Sequence, residues 1–441
     1  MSKPGLKPGK WRSLQIAQRM RAAGREQLKE FIALSQNQAV DSTVMLTMAS
    51  DNYYASLMNW LHSMTSVGVT NIVVLAMDEA LHNKLLGIGV ASFYSKAFLE
   101  HVDVVFTQEQ QRIKVKTKEK MKTNAKFRRS ALKQVALGRL WCMRMLVIRS
   151  LLEAGLHVVQ SDADAVPFQN PFPLLKRAPG DIVAQRGVFP MRVSKDWTGV
   201  GGYVGEHAKY AHHHGTLCFG FIMYRSTPAT LALIDLSWTL VTFMLDDQKG
   251  VQYAICGCFV FTWTHDGPGG AVARPYQDLD LDLDASSRSV IETATSTGTI
   301  VGNRPLKVSF LPQQLVPRHC GAEYGKPESQ PDVVITHCYA KKEAKLKIKR
   351  ANEFGVAFLG EHWKNMTRFE GETAVGYLQR LGSHPKASFP CESLRKSVEQ
   401  GNREESDWIL DHAAASLSSG FSWNATGAAA EAAAVLRERC P

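Results

Sequence analysis

The sequence predicts an α/β protein with a mostly parallel central sheet, helices on both faces and peripheral helices at either end of the chain. Two apolar strand segments are each followed by an amphipathic helix, and a long helix leads into a third apolar strand. Strands that are apolar along their whole length are typical of parallel sheets covered on both faces. The 441 residues are enough for one large domain with appendages.

The first strand–helix unit begins with the apolar segment Thr43–Ala49, and residues 57–64 then repeat apolar side chains at helical spacing. Between the strand and the helix stand Asp51, Asn52 and Tyr53. Ligands in open α/β sheets bind at the carboxyl ends of strands, so these three residues are candidates for ligand contact. The alternative is that they only cap the helix.

The second unit has the apolar strand Asn71–Met77, followed by Asp78 and a helix through Leu81 and Leu86. Asp78 either contacts a ligand hydroxyl or caps this helix. The segment His101–Phe106 is interpreted as a third short strand.

A long helix with apolar residues at helical spacing from 132 to 151 leads to the strand His157–Gln160, which runs into Asp162 and Asp164. Aspartates at positions i and i+2 of a tight turn can point at one divalent cation. Their hard oxygens suit Mg²⁺ or Mn²⁺. The alternative is a turn in which the aspartates only cap the next segment.

Further apolar strands are predicted at Asp181–Gln185, Thr216–Arg225, Val308–Leu311 and Val333–Thr336. The last of these ends in His337. On the assumption that it lies inside the parallel sheet, its end should reach the same edge as the aspartates, and His337 should bind the same ion.

Two further polar groups follow or lie on predicted helices. Asp247 and Gln248 follow a predicted helix over residues 229–245. Lys345 and Lys347 lie on a predicted basic helix, where either could neutralise a phosphate group, although lysines on a helix are often only a solvated face.

Composition excludes several classes of protein. The net charge is +11, but no zinc-knuckle or recognition-helix pattern accompanies it, so we expect no nucleic-acid partner. The eight cysteines contain no CxxC pair, which argues against a zinc cluster. No apolar run reaches about 18 residues, so we expect no membrane span. The start, MSKPGLKPGKWRSLQ, has no hydrophobic signal segment, and the compartment stays open.

The same patterns divide the chain into three parts. Residues 1–40 form a basic arm and a helix, residues 41–358 form the main α/β domain, and residues 359–441 form a helical or loose appendage.

From Thr43 to Phe358 the chain resembles the nucleotide-diphospho-sugar transferases that include plant cell-wall arabinosyl- and xylosyltransferases. The matching segments, in the order of the family, are VMLTMASDNYYASLMNWLHSM, NIVVLAMDEALHNKLLGIGV, LLEAGLHVVQSDADAVPFQNPFP, FGFIMYRSTPAT, DDQ and VVITHCYAKKEAKLKIKRANEFG.

The resemblance implies a GT-A-like, Rossmann-type fold, a UDP-sugar donor of pentose or galactose type, a glycan or protein acceptor, and retention of the anomeric configuration. It also implies a Golgi setting. The ion, Mn²⁺ or Mg²⁺, would be held by Asp162, Asp164 and His337.

The remaining candidates take roles around this donor. Asp51, Asn52 and Tyr53 would contact the uracil, and Asp78 the ribose. Lys345 or Lys347 would neutralise the diphosphate, and Asp247 and Gln248 would lie on the sugar face opposite the leaving group.

The sequence departs from the family pattern at two positions. Cys218 and Phe219 precede Gly220 where an Asn is usual, and Tyr339 replaces an Asn after the late histidine. Two alternatives stay open. One is a haloacid-dehalogenase-type phosphatase that uses Asp162 and Asp164, because its nucleophile motif is also a DxD after a strand. The other, suggested by these departures, is an inactive, transferase-like sugar-binding protein.

Overall fold

A computed structural model of the chain describes residues 26–104, 125–178, 180–187, 214–244, 247–248, 250–251, 261–265, 271–275, 306, 308–311, 316–317, 333–337, 344–353 and 356–383. These residues belong to two compact units. The first unit comprises 1–44, 93–159 and 224–308, and the second comprises 45–92, 160–223 and 309–441.

The helices are α1 (Lys29–Gln38), α2 (Tyr54–Ser66), α3 (Glu79–Gly87), α4 (Ala125–Glu153), α5 (Phe172–Arg177), α6 (Pro228–Met244), α7 (Ala344–Glu353) and α8 (Ala374–Arg380). The strands are β1 (Thr43–Ala49), β2 (Ile72–Ala76), β3 (Ser92–Phe93), β4 (His157–Ser161), β5 (Ala165–Pro167), β6 (Ile182–Gly187), β7 (His214–Tyr224), β8 (Phe261–His265), β9 (Ala271–Pro275), β10 (Val308–Phe310) and β11 (Ile335–His337). Short 3-10 helices cover Asp51–Tyr53 and Trp363–Asn365.

The second unit contains the larger part of a mostly parallel sheet, in which strands lie in the order β2-β1-β4-β7-β6-β10. β1 and β2 pair in parallel from Met45 opposite Ile72 to Ala49 opposite Ala76. Every residue of β2 is buried. This burial is what a parallel sheet covered on both faces requires, and the predicted α/β class is confirmed.

A separate two-stranded sheet of β5 and β11 lies in the same unit, and its strands are antiparallel. The expectation that the strand before His337 lies inside the parallel sheet is therefore wrong. The reason is a local apolar cluster: Val166, Phe168 and Val333 pack together with Val356 after α7. Burying this cluster pairs β11 with β5 instead of with the larger sheet.

In the first unit the segment expected to form a strand at His101–Phe106 is helical over residues 96–104, so that expectation is wrong for the described part. Phe98 and Val102 are both fully buried. Residues four apart face the same side of a helix, so these two side chains reach the core together. A short apolar run does not by itself distinguish helix from strand.

Residues beyond the predicted domain boundary at 358/359 pack on α2 within the second unit. The Nδ1 atom of His62 lies 2.8 Å from the carbonyl oxygen of Leu378, and the Gln379 amide donates to the carbonyl of Thr65 at 2.8 Å. The predicted boundaries at 40/41 and 358/359 stay predictions. Among the described helices, none has both the length and the apolar character needed to cross a bilayer.

Candidate functional site

The two aspartates of the DxD segment are held in a tight turn directly after β4. The backbone N–H of Ala165 donates to the carbonyl of Asp162 at 2.9 Å and closes the turn. The N–H of Asp162 itself donates to the carbonyl of Gly220 in β7 at 2.8 Å. The indole N–H of Trp60 donates to the hydroxyl of Ser161 at 3.0 Å. The turn is therefore anchored to β7 on one side and to α2 on the other.

His337 lies at this turn because β11 pairs with β5, which sets His337 opposite Ala165. Its Nε2 atom is 3.7 Å from Oδ2 of Asp162 and 3.7 Å from Oδ1 of Asp164. One ligand atom from each of the three residues lies within 4.8 Å of the others. His337 therefore lies beside the two aspartates, and metal binding by the three residues stays a prediction.

Lys347, on α7, is paired with this group. Its Nζ atom is 2.7 Å from Oδ1 of Asp164 and 6.0 Å from the ring centroid of Tyr53. Burial alone would raise the pKa of Asp164, but Lys347 and His337 hold it well below its usual range. For Lys347 the effects have the opposite sign. Burial alone would lower its pKa, but the attraction of Asp164 and Asp162 raises the pKa above the ordinary value. Both partners are therefore charged at neutral pH.

The side of His337 that faces away from the aspartates is also enclosed. Its Nδ1 atom lies 3.3 Å from Oε1 of Gln185 and 3.3 Å from Sγ of Cys218. Gly220 lies under the ring, where a Cβ atom would stand only 1.8 Å from Cε1 and Nδ1. The ring is thus confined between β6 and β7, with Nε2 directed at the carboxylates.

The predicted nucleoside-contacting residues follow the ends of β1 and β2. Asp78 caps α3 by accepting from the N–H of Leu81 at 2.9 Å, and its other oxygen accepts from the N–H of Asp51 at 2.8 Å. Asp51 also accepts from Lys84 at 2.6 Å. Asn52 is exposed. The capping alternative for Asp78 is observed, and contact with a ribose stays a prediction.

Asp247 and Gln248 belong to the first unit. The Asp247 side chain is 3% exposed and accepts from Nε of Arg144 at 2.7 Å and from its Nη2. The N–H of Gln248 donates to the Asp247 carboxylate at 2.8 Å. The side chain of Lys345 and all of Tyr339 lie outside the described part of the chain.

The group of Asp162, Asp164 and His337 fits a divalent cation. Carboxylate oxygens and imidazole nitrogens are common protein ligands of divalent cations. The second ring nitrogen of His337 faces Gln185, as expected for a ligand histidine whose other nitrogen is hydrogen-bonded.

Sequence analysis missed Gln185 and the close approach at Gly220. The available signals were a polar residue in an apolar strand, for Gln185, and a glycine inside a buried strand, for Gly220.

Comparison with known proteins identifies the family. The profile of the nucleotide-diphospho-sugar transferase family matches residues 67–350. No curated protein matches the chain. Among solved structures, the chain is similar to the apo structure of the WbbM bifunctional glycosyltransferase, with 13% identity and a TM-score of 0.25. That alignment covers 62% of this chain and 46% of the other, so the chain spans less than half of that protein's length. Because the family profile covers more than half of its residues, the chain belongs to the nucleotide-diphospho-sugar transferase family.

Proposed function

We propose that the protein moves a sugar of pentose or galactose type from a UDP-sugar to a glycan or protein acceptor, with Mn²⁺ or Mg²⁺ as cofactor. The observation that carries the proposal is the convergence of Asp162, Asp164 and His337 within 4.8 Å. Retention of the anomeric configuration is part of the proposal and rests on the family resemblance.

The three residues would hold the ion as mixed oxygen and nitrogen ligands, which favours Mn²⁺ over Mg²⁺. When bound, a divalent cation stabilises the negative charge that develops on the β-phosphate as UDP leaves. Asp164 is already ionised, since its pKa is held well below the usual range. No proton therefore has to be removed from Asp164 before the ion binds.

Lys347 is the residue we assign to the diphosphate. It contacts Asp164 and lies over the ring of Tyr53, so one cation links the metal ligands with the end of β1. A diphosphate between an ion and a uracil would lie along this line. Lys345, on the same helix, stays a second candidate.

The nucleoside would lie at the end of β1. Tyr53 offers an aromatic ring for stacking, and Asp51 and Asn52 offer hydrogen-bonding groups. Asp78 holds this segment in place, because one of its carboxylate oxygens accepts a hydrogen bond from the N–H of Asp51 at 2.8 Å. We propose that Asp78 acts on the donor chiefly by holding Asp51 in place. Direct contact of Asp78 with the ribose is a further prediction.

Asp247 and Gln248 are proposed as residues of the sugar face, on the family resemblance. Asp247 has a structural role as well, since Arg144 is its buried partner. Removing one partner of a buried ion pair costs about 3–5 kcal/mol. A loss of turnover in Asp247→Asn therefore counts for a sugar-face role only if the variant stays folded at the assay temperature, which thermal melting measures.

The decisive experiment is calorimetry of UDP binding with and without Mn²⁺. We expect Mn²⁺ to raise the affinity for UDP at least tenfold, and Asp164→Asn to abolish that gain. Asp103→Asn is a matched control, because Asp103 is likewise paired with one cation, Arg139, at 2.9 Å. The control should keep the full Mn²⁺ effect.

Two results would contradict the proposal. One is an affinity for UDP that does not depend on Mn²⁺ in the unaltered protein. The other is turnover of p-nitrophenyl phosphate without UDP binding, which would instead support a phosphatase. A screen of UDP-sugars for release of UDP then identifies the donor. Tight UDP binding with no release from any donor would support the inactive sugar-binding alternative.

A further inference from the structure

The side chain of Gln185, in β6, is held in one orientation by its own hydrogen bonds. Its Nε2 donates to the carbonyl of Pro317 at 2.8 Å and to the carbonyl of Val316 at 3.3 Å. A carbonyl oxygen can only accept, so the NH₂ group of Gln185 must face these two residues. Its Oε1 atom is then directed at Nδ1 of His337, 3.3 Å away. The side chain is fully buried, and no rotation of the amide would keep these bonds.

This orientation determines the tautomer of the histidine. Oε1 of Gln185 is an acceptor, so Nδ1 of His337 has to carry a hydrogen to bond with it. A neutral imidazole with a hydrogen on Nδ1 has its lone pair on Nε2. Nε2 is the atom that lies 3.7 Å from a carboxylate oxygen of Asp162 and of Asp164.

We infer that Gln185 is a positioning residue: it holds the His337 ring with its Nδ1–H toward β6 and its Nε2 lone pair toward the ion. The inference rests on the metal site of the proposed function. It extends that site along a chain of bonds that runs from the backbone carbonyls of Val316 and Pro317 through the Gln185 amide to the ligand nitrogen.

Cys218 contacts the same ring nitrogen and has a different role. Its Sγ atom is 3.3 Å from Nδ1 of His337. A thiol that donated to Nδ1 would require the other tautomer, with the hydrogen on Nε2, and would leave Oε1 of Gln185 without a donor. The amide oxygen is also a far stronger acceptor than a thiol sulfur. Cys218 therefore packs against the ring, and Gln185 determines which ring nitrogen carries the hydrogen.

Measurement of Mn²⁺ affinity tests this division of roles. Free Mn²⁺ is quantified by electron paramagnetic resonance for the unaltered chain, Gln185→Leu and Cys218→Ala. Removing a hydrogen-bond partner of a ligand histidine weakens metal binding by roughly 10–100-fold. We expect a loss of that size for Gln185→Leu and less than about threefold for Cys218→Ala. Equal losses in the two variants, or none in Gln185→Leu, would overturn the inference.

A second readout needs no variant of Gln185. In the protein saturated with diamagnetic Mg²⁺, ¹⁵N nuclear magnetic resonance distinguishes the ring nitrogen that carries the hydrogen from the one that does not. The signals are assigned by their loss in His337→Gln. We expect the hydrogen of His337 on Nδ1. A hydrogen on Nε2 would overturn the inference even if Gln185→Leu failed to fold.

The two proposals fail in different ways. If the unaltered protein does not bind Mn²⁺, the metal role in the proposed function is contradicted, whatever the tautomer. If it binds Mn²⁺ and Gln185→Leu binds it equally well, the positioning role of Gln185 alone is contradicted.

Discussion

Replacing Gly220 with alanine should displace the ring of His337. An added Cβ atom would stand 1.8 Å from Cε1 and Nδ1 of the ring and 2.6 Å from its Nε2. Contacts below 3.0 Å do not occur at real Cβ atoms, so one of the two groups has to move. Gly220 lies inside β7, and its carbonyl accepts from the N–H of Asp162, so its backbone cannot retreat without loosening the DxD turn.

The size of the effect follows from these distances. Restoring an ordinary contact of 3.4 Å requires a shift of about 1.6 Å for Cε1 and Nδ1, which start at 1.8 Å, and of about 0.8 Å for Nε2, which starts at 2.6 Å. Metal–nitrogen bonds are about 2 Å long, so a shift of either size takes Nε2 out of bonding distance. We expect Mn²⁺ affinity to fall at least 10–100-fold, which is about 1.4–2.7 kcal/mol. Overpacking itself costs about 1–3 kcal/mol of folding stability.

The assay is Mn²⁺ titration followed by electron paramagnetic resonance, with thermal melting to confirm folding. Gly87→Ala is the control, because a Cβ atom at Gly87 meets nothing within 4 Å. Gly87 ends α3, and alanine there should leave Mn²⁺ affinity unchanged and stability equal or slightly higher. A folded Gly220→Ala variant that binds Mn²⁺ as tightly as the unaltered protein would refute the reasoning.

Two further predictions concern charge. Lys347→Met should raise the affinity for Mn²⁺ alone, because Lys347 competes with the ion for Asp164. The same variant should bind UDP more weakly in the presence of Mn²⁺. Calorimetry in which both affinities fall would contradict this prediction. Burial, and next Arg225, lower the pKa of His157, so the stability it contributes is complete above its unfolded pKa of about 6.5 and is lost as the pH falls. His157→Asn keeps an acceptor for the N–H of Ser226 but does not titrate. Between pH 7.5 and 5 its melting temperature should therefore fall less than that of the unaltered protein, by about 2–4 °C for each kcal/mol of unfolding free energy that His157 loses. Parallel curves of melting temperature against pH would refute the assignment.

The local sequence pattern was sufficient to predict elements whose structure depends mainly on residues that are near in the chain. The apolar run Thr43–Ala49 is β1 with the same bounds, and β4 ends where Asp162 begins. The DxD pattern itself is local, because alternation in a turn brings two carboxylates to one side without help from distant residues. The segment His101–Phe106 shows the limit. Its apolar residues suit either a helix or a strand, and only contact with the core selects the helix.

His337 was placed correctly, but by the wrong route. It was expected at the edge of a parallel sheet, and it arrives instead through antiparallel pairing of β11 with β5. Strands of three residues carry no periodicity from which a partner or a register can be read. The pairing is determined by burial of Val166 and Val333 in one cluster, which is a property of the folded chain.

The sequence by itself determined the α/β class, the turn that carries Asp162 and Asp164, and the family. Only the tertiary structure selected the contacts around them: Lys347 as the partner of Asp164, Gln185 as the acceptor for His337, and Gly220 as the space for its ring. Hydrophobic periodicity records which face of an element is buried. It does not record which distant element covers that face, and hydrogen bonds between residues more than 100 positions apart depend on that choice.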